Sequence, residues 1–163
     1  MSFHSLLEKK LIAMEDVIRF VNSRRLNGRR IVFTNGCFDI LHPGHVNYLT
    51  QARDLGDILI VGLNSDDSVK RQNKGPERPI NTQEARAKVL AGLGCVDAIV
   101  YFNEDTPLEL IKKVEPDFLV KGGDWKVEQV VGNDIVKAKG GMVITIPFLD
   151  GFSTTDLVNK LKG

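Results

Sequence analysis

The chain has 163 residues, 42% of them apolar, and its 22 basic side chains nearly balance 21 acidic ones for a formal charge of +1. That length suits one domain with a single sizeable core, and the balanced charge supplies no general field for nucleic acid or an anionic membrane, so any attraction for phosphate must be local. Cys37 and Cys95 show no metal or redox spacing, and no apolar run reaches the length of a signal segment or a membrane span. The expectation is a cytoplasmic protein with neither a nucleic-acid nor a membrane partner.

The opening segment, residues 1–28, sets Leu7, Leu11, Met14, Ile18 and Val21 on one helical stripe. This predicts an amphipathic helix packed on the sheet, a core face by default, or on a second subunit, which would make a homodimer or larger homo-oligomer. Arg24, Arg25, Arg29 and Arg30 read as a solvated helix end next to a strand. Apolar runs bounded by Gly, Pro, Asn and Asp predict strands at 31–35, 58–63, 98–102, 118–121 and 142–146. Helical spacing falls between them at 46–55, 82–93, 107–114 and 127–139, the last broken at Gly132-Asn133. Continuous runs such as Ile58-Leu59-Ile60-Val61 fit a sheet covered on both faces. The predicted class is α/β, a Rossmann-like three-layer sandwich on a mostly parallel five-stranded sheet. With no internal repeat or linker, residues 1–163 form one domain.

The most informative segment runs from Gly36 to His45, between the first predicted strand and the first long helix. Glycines at 36 and 44 permit close approach of an anion to a helix N-terminus, where unpaired N–H groups and the helix dipole favour negative charge. His42 and His45, three apart, share a face and can both donate to one set of phosphoryl oxygens. Zinc ligation has no partner motif nearby. Cys37 reads as a small buried filler of the glycine turn. Ligands of open α/β sheets gather beyond the carboxyl ends of the strands, and the chemically equipped residues all lie there: 35–45, Asn64 with Ser65, and 121–125.

Gly36-Cys37-Phe38-Asp39-Ile40-Leu41-His42-Pro43-Gly44-His45 resembles the GxFDxxHxGH signature of the nucleotidyltransferase superfamily of cytidylyltransferases and related adenylyltransferases. Thr34-Asn35-Gly36-Cys37-Phe38-Asp39, Val61-Gly62-Leu63-Asn64-Ser65-Asp66 and Lys121-Gly122-Gly123-Asp124-Trp125 are further similar to the branch of adenylyltransferases that act on heptose 1-phosphate. Gly151-Phe152-Ser153-Thr154-Thr155-Asp156 resembles the second superfamily signature, although Val158 stands where some relatives carry a basic residue and Lys160 is the replacement on offer.

The resemblance implies transfer of AMP from ATP to D-glycero-D-manno-heptose 1-phosphate, giving ADP-heptose for lipopolysaccharide core or surface-glycan synthesis. His42, His45 and Lys74 are then the catalytic set. Asn35, Gly36, Cys37, Phe38, Gly44, Lys121, Gly123, Asp124, Ser153, Thr154 and Thr155 are implied to hold the nucleotide. Asp39, Asn64, Arg78, Arg86 and Trp125 are implied to face the acceptor. Magnesium is the implied cofactor, carried on the triphosphate, with Asp39 or Asp124 as the protein groups within its reach. Read from the residues alone, Asp39 is equally a ligand or a loop brace. About thirty residues precede the first strand, so a separate heptose kinase is expected to supply the acceptor. The alternatives are a cytidylyltransferase acting on an alcohol phosphate such as glycerol 3-phosphate, and a non-catalytic nucleotide-binding subunit.

Overall fold

In the computed structural model, which describes residues 2–162, five parallel strands form one sheet: β1 (Ile31–Gly36), β2 (Ile58–Asn64), β3 (Ala98–Phe102), β4 (Phe118–Gly122) and β5 (Met142–Ile146). Their order is β3-β2-β1-β4-β5, with Ile31 in register with Ile58 and Phe118 with Met142. The predicted α/β three-layer class and all five strands are present.

Alternation along each strand sends side chains to both faces, so each face needs its own helical cover. Val32, Leu59, Val61 and Leu63 pack with Leu49 of α3 (Pro43–Asp54) and Leu90 of α5 (Gln83–Ala91). Ile31, Phe33, Ile60 and Val100 pack with Val21 of α2 (Val17–Arg25) and Ile111 of α6 (Leu108–Val114). Val136 of α7 (Asn133–Ala138) joins that second cluster. The first β-to-α turn is thereby clamped between two solid layers, and its loop is left at the carboxyl edge of the sheet.

The helix expected at 46–55 begins at Pro43, three residues earlier. His42 is the cap in extended conformation, and Pro43 suits the first turn because its missing N–H would have no intrahelical partner. His45 therefore sits in the first turn of α3. The segment 127–139 divides into a 3-10 turn (Val127–Gln129) and α7, with Gly132 at φ +85° between them, as the Gly132-Asn133 break anticipates. Two short helices are additional to the expected set: α1 (Phe3–Glu8) and α4 (Asp66–Arg71), the latter capped by the Ser65 side chain. The segment after the second signature forms α8 (Thr154–Lys162).

One expectation needs correction. The opening segment is not a single amphipathic helix: α1 ends at Glu8, residues 10–12 run beside β3, and a 3-10 turn (Met14–Asp16) leads into α2. Ile12 N–H donates to Ile99 O at 2.9 Å, and Ile99 N–H donates to Lys10 O at 2.7 Å. The reason is the open edge of β3, whose backbone groups need partners that a continuous helix cannot give. The supposed stripe is split accordingly. Leu7 packs against one core cluster, Met14, Val17 and Val21 belong to the other, and Leu11 and Ile18 are exposed. The arginines act as local braces, with Arg25 donating to the Val114 and Glu115 carbonyls at the end of α6, and Arg29 and Arg30 pairing with Asp57.

Candidate active site

A cleft of about 620 Å³ opens beyond the carboxyl ends of β1 and β4, between the first turns of α3 and α8. Its walls bring together Asn35, Gly36, Cys37, Phe38, Gly44, His42, His45, Lys74, Arg78, Lys121, Trp125, Ser153, Thr154 and Thr155. Residues 120 positions apart in sequence thus meet because β1 and β4 are neighbours in the sheet and the chain end folds back over α3.

The two imidazoles stack with centroids 3.8 Å apart and planes inclined by 23°. The Phe38 ring meets His45 edge-on at 5.3 Å, and Phe152 lies parallel to His42 at 6.3 Å. Gly44 is required by this arrangement, since a Cβ there would come within 2.9 Å of the His42 ring and 3.2 Å of Phe152. Phe38 itself holds φ +45°, a left-handed conformation uncommon for a bulky side chain, which sets the loop so that its ring reaches His45. Both Nδ1 atoms are buried without a partner in hydrogen-bonding geometry.

Burial lowers the pKa of His42. His45 is lowered to about 4, first by burial and then by the neighbouring His42, against an opposing effect of the Ile40 carbonyl. Both rings are therefore neutral near pH 7 in the ligand-free protein, and a bound polyanion will favour their protonation. The linkage has a definite sign. Between about 4 and the ordinary value of 6.5, the unfolded chain binds a proton at His45 that the folded chain does not, so stability rises with pH across that window and falls on acidification. Chemical unfolding measured from pH 4 to 7 should show this slope in the wild-type protein and a shallower one in His45→Gln.

Two ammonium groups line the same cleft. Lys74 Nζ lies 3.6 Å from Cys37 Sγ, and Lys121 Nζ sits 5.7 Å from the centroid of the Trp125 ring. The Lys121 pKa is lowered by burial and then by Lys74. The Cys37 thiol is buried and donates to Gln72 Oε1 at 3.3 Å, in keeping with a filler that closes the glycine turn. Opposite them, Ser153 caps α8 by accepting from Asp156 N–H at 2.9 Å, so a second helix N-terminus points at the cleft.

Several residues expected to contact ligand do other work. Asp39 is 4% exposed, with Oδ2 accepting from Arg78 Nε at 2.6 Å and Ile80 N–H at 2.9 Å, and Oδ1 accepting from Asn81 N–H at 2.9 Å. Burial works to raise its pKa, but the Asn81 and Ile80 N–H groups and the Arg78 guanidinium together hold it below the ordinary value. It braces the His loop against the segment 78–81, so it is not a free carboxylate for acceptor or metal. Arg86 is likewise a buried brace, donating from Nε to Asn81 O, from Nη1 to Cys37 O and Asn64 O, and from Nη2 to Asp66. Its donors are engaged inside the protein, which corrects the expected phosphate contact. Arg78 lines the cleft while pairing with Asp39. Gly123, at φ +102°, turns the chain after β4, and Asp124 is exposed; neither lines the cleft. Asn64 lies in an adjoining chamber, and Lys160 is exposed outside the cleft wall.

Tyr48, Phe148 and Leu149 also line the cleft and were not singled out in the sequence. Tyr48 is fixed by hydrogen bonds with Thr34 at 2.5 Å and to Val120 O at 3.2 Å, tying α3 to both central strands. Phe148 and Leu149 follow the end of β5 and carry the same positional signal as the residues after β1 and β4.

Two helix N-termini and paired imidazoles around a nucleotide-sized cleft suit transfer of a phosphoryl-linked group, and the class this fold and site define is the nucleotidyltransferases. A family profile described as cytidylyltransferase-like matches residues 33–160, and the chain belongs to that family. The bifunctional protein HldE of Campylobacter concisus is 54% identical over 161 residues, covering 99% of this chain and 33% of that protein. HldE of Nitrobacter winogradskyi is 56% identical over 156 residues, covering 96% of this chain and 32% of its own length. The chain spans about a third of the length of the curated relatives it matches. Among solved structures, the lipopolysaccharide core biosynthesis protein from Thermoplasma volcanium has a TM-score of 0.61 at 30% identity, covering 75% of this chain and 98% of that one. Pantoate-beta-alanine ligase from Francisella tularensis has a TM-score of 0.61 at 17% identity, covering 93% of this chain and 76% of that one, a likeness of fold alone.

Proposed function

We propose that this chain transfers AMP from ATP to D-glycero-D-manno-heptose 1-phosphate, releasing pyrophosphate and ADP-heptose for lipopolysaccharide core or surface-glycan synthesis. The observation that carries the reading is the stacked His42 and His45 pair lining a cleft between two helix N-termini. The relatives named HldE, and the lipopolysaccharide core biosynthesis protein of similar fold, support the choice of acceptor.

In the reaction, an oxygen of the acceptor phosphate attacks the α-phosphorus of ATP. A new P–O bond forms, and the bond to pyrophosphate breaks in line, so protein groups need only position and stabilise charge. The imidazoles donate to triphosphate oxygens and follow the negative charge toward the leaving group, while Lys74 and Lys121 hold the phosphates of donor and acceptor. The helix ends add backbone N–H donors that are already oriented.

Among the described residues no group of three or more His, Cys, Asp or Glu is placed to hold a metal, and the oxygens of Asp39 are already taken by internal donors. Of the two carboxylates within its expected reach, Asp39 is taken up by internal donors and Asp124 is exposed outside the cleft wall. We propose magnesium only as an ion carried on nucleotide oxygens, and no step is assigned to it. A heptose 1-phosphate substrate implies a sugar kinase acting before this step. Among the described residues no helix is long and apolar enough to cross a membrane; a cytoplasmic setting is part of the proposal.

Purified protein incubated with each pairing of ATP or CTP with heptose 1-phosphate or glycerol 3-phosphate, and assayed for pyrophosphate, should respond to ATP with heptose 1-phosphate. Turnover confined to CTP with glycerol 3-phosphate would overturn the proposal.

A further inference from the structure

The two central strands separate where the cleft begins. The β1–β4 ladder ends at Phe33 with Leu119, whereas β1 stays paired to β2 as far as Gly36 with Leu63, and β4 to β5 as far as Gly122 with Ile146. Thr34 and Val120, next in that register, are no longer paired, and the cleft lies beyond them between Asn35 and Lys121. A strand carbonyl that loses its ladder partner at such a fork needs another donor.

One side chain from outside the sheet fills the fork. Tyr48 of α3 is buried, donates its phenol proton to Val120 O at 3.2 Å and shares a 2.5 Å hydrogen bond with Thr34 Oγ1. Since its single proton goes to Val120 O, the Thr34 hydroxyl is the donor to Tyr48. Burial pushes the phenol up to about 12, against the hydrogen bonds of Thr34 and the Gly122 backbone, so it stays a neutral donor near pH 7. Gly122 leaves space for the ring, since a Cβ there would lie 3.3 Å from it.

Each anchor of this network adjoins a group of the site. His45 precedes Tyr48 by one turn on the same face of α3, Asn35 follows Thr34, and Lys121 follows Val120. Leu49 and Ala52 hold α3 on the sheet by apolar packing, which is non-directional, whereas a hydrogen bond to each strand fixes the rotation and height of the helix. We propose that Tyr48 is a positioning residue for the transfer step: its hydroxyl, wedged in the fork between β1 and β4, sets where the His42–His45 pair stands relative to Lys121. That hydroxyl meets no substrate atom, because its partners are all within the protein. The inference rests on the reading of the cleft as a nucleotidyl-transfer site.

The test uses Tyr48→Phe, which keeps the ring and removes the hydroxyl, Thr34→Val, which removes the second hydroxyl, and Thr34→Ser, which retains it. Val21→Ala, in the core layer on the other face of the sheet and away from the cleft wall, is the control for lost stability alone. Steady-state kinetics with ATP and heptose 1-phosphate are measured beside the affinity for a non-hydrolysable ATP analogue. Tyr48→Phe should lower kcat about tenfold, within the hundredfold that a 1 Å misplacement can cost, with KM and analogue affinity nearly unchanged. Thr34→Val should lose part of the same rate and Thr34→Ser should keep it, while the double variant Tyr48→Phe with Thr34→Val should cost less than the product of the single losses, since one network carries both. A kcat for Tyr48→Phe that falls no further than that of Val21→Ala, or falls only in step with analogue affinity, would overturn the inference. If Tyr48→Phe does not fold, equal rates for Thr34→Val and Thr34→Ser overturn it instead. Wild-type protein active only with another donor and acceptor overturns the choice of substrates, and the same variants are then compared on that pair; wild-type protein inactive with every pairing overturns the functional reading and this inference with it.

Discussion

Replacing either His42 or His45 by Ala should lower turnover by about a hundredfold to a thousandfold, the measured scale for removing one preorganised donor from developing charge. ATP affinity should fall far less. In the proposed reaction the backbone N–H groups at the starts of α3 and α8, with Lys74 and Lys121 on the cleft wall, would still meet the ground-state triphosphate, whereas the imidazoles would contribute most where charge moves to the leaving oxygens. Because the rings stack at 3.8 Å, each fixes the orientation of the other. The double variant should therefore cost less than the product of the single losses, as expected for groups that act as a unit. Steady-state kinetics with ATP binding by calorimetry checks both points, and a loss of affinity as large as the loss of turnover would show that the pair only binds.

The second large effect falls on stability. Arg86→Leu should destabilise the fold by about 3–5 kcal/mol, because it breaks a buried ion pair and strips donors from several acceptors at once. The Arg86 side chain has no exposed surface, and it joins Cys37 O and Asn64 O, each at 2.8 Å, to Asn81 O and to Asp66. It therefore holds the His loop, the end of β2 and the start of α5 in one arrangement. Arg86→Lys should rescue little, since one ammonium cannot reproduce a planar fork directed at four acceptors. Denaturant midpoints for the two variants decide this, and a loss below about 1 kcal/mol for Arg86→Leu would show the contacts to be replaceable.

How much of this was legible in the sequence differs by scale. The strands were, because continuous Val, Ile and Leu runs between Gly, Pro and Asp have few other uses, and with them came the carboxyl edge on which His42, Lys121 and Asn35 gather. The amphipathic stripe of the first 28 residues misled because helical spacing cannot register an open strand edge that captures residues 10–12. The bracing role of Arg86 was hidden, and that of Asp39 stayed one of two open alternatives, for a related reason. A charged residue near a phosphate-binding turn reads as a ligand until its partners are known, and all of those partners but the Asn81 carbonyl of Arg86 lie 20 to 49 positions away. Asn64 shows the converse. Its position after β2 marked it, but only the Ser68 and Glu104 contacts reveal which of its atoms lacks a partner.

The claim that the imidazole pair grips the reacting triphosphate is tested most directly by nitrogen-detected NMR of the His42 and His45 rings, titrated with pH in the absence and presence of a non-hydrolysable ATP analogue. The prediction is that both rings shift on binding and that His45 titrates above its ligand-free value of about 4. Ring signals and titration curves that stay unchanged at saturating analogue would contradict it.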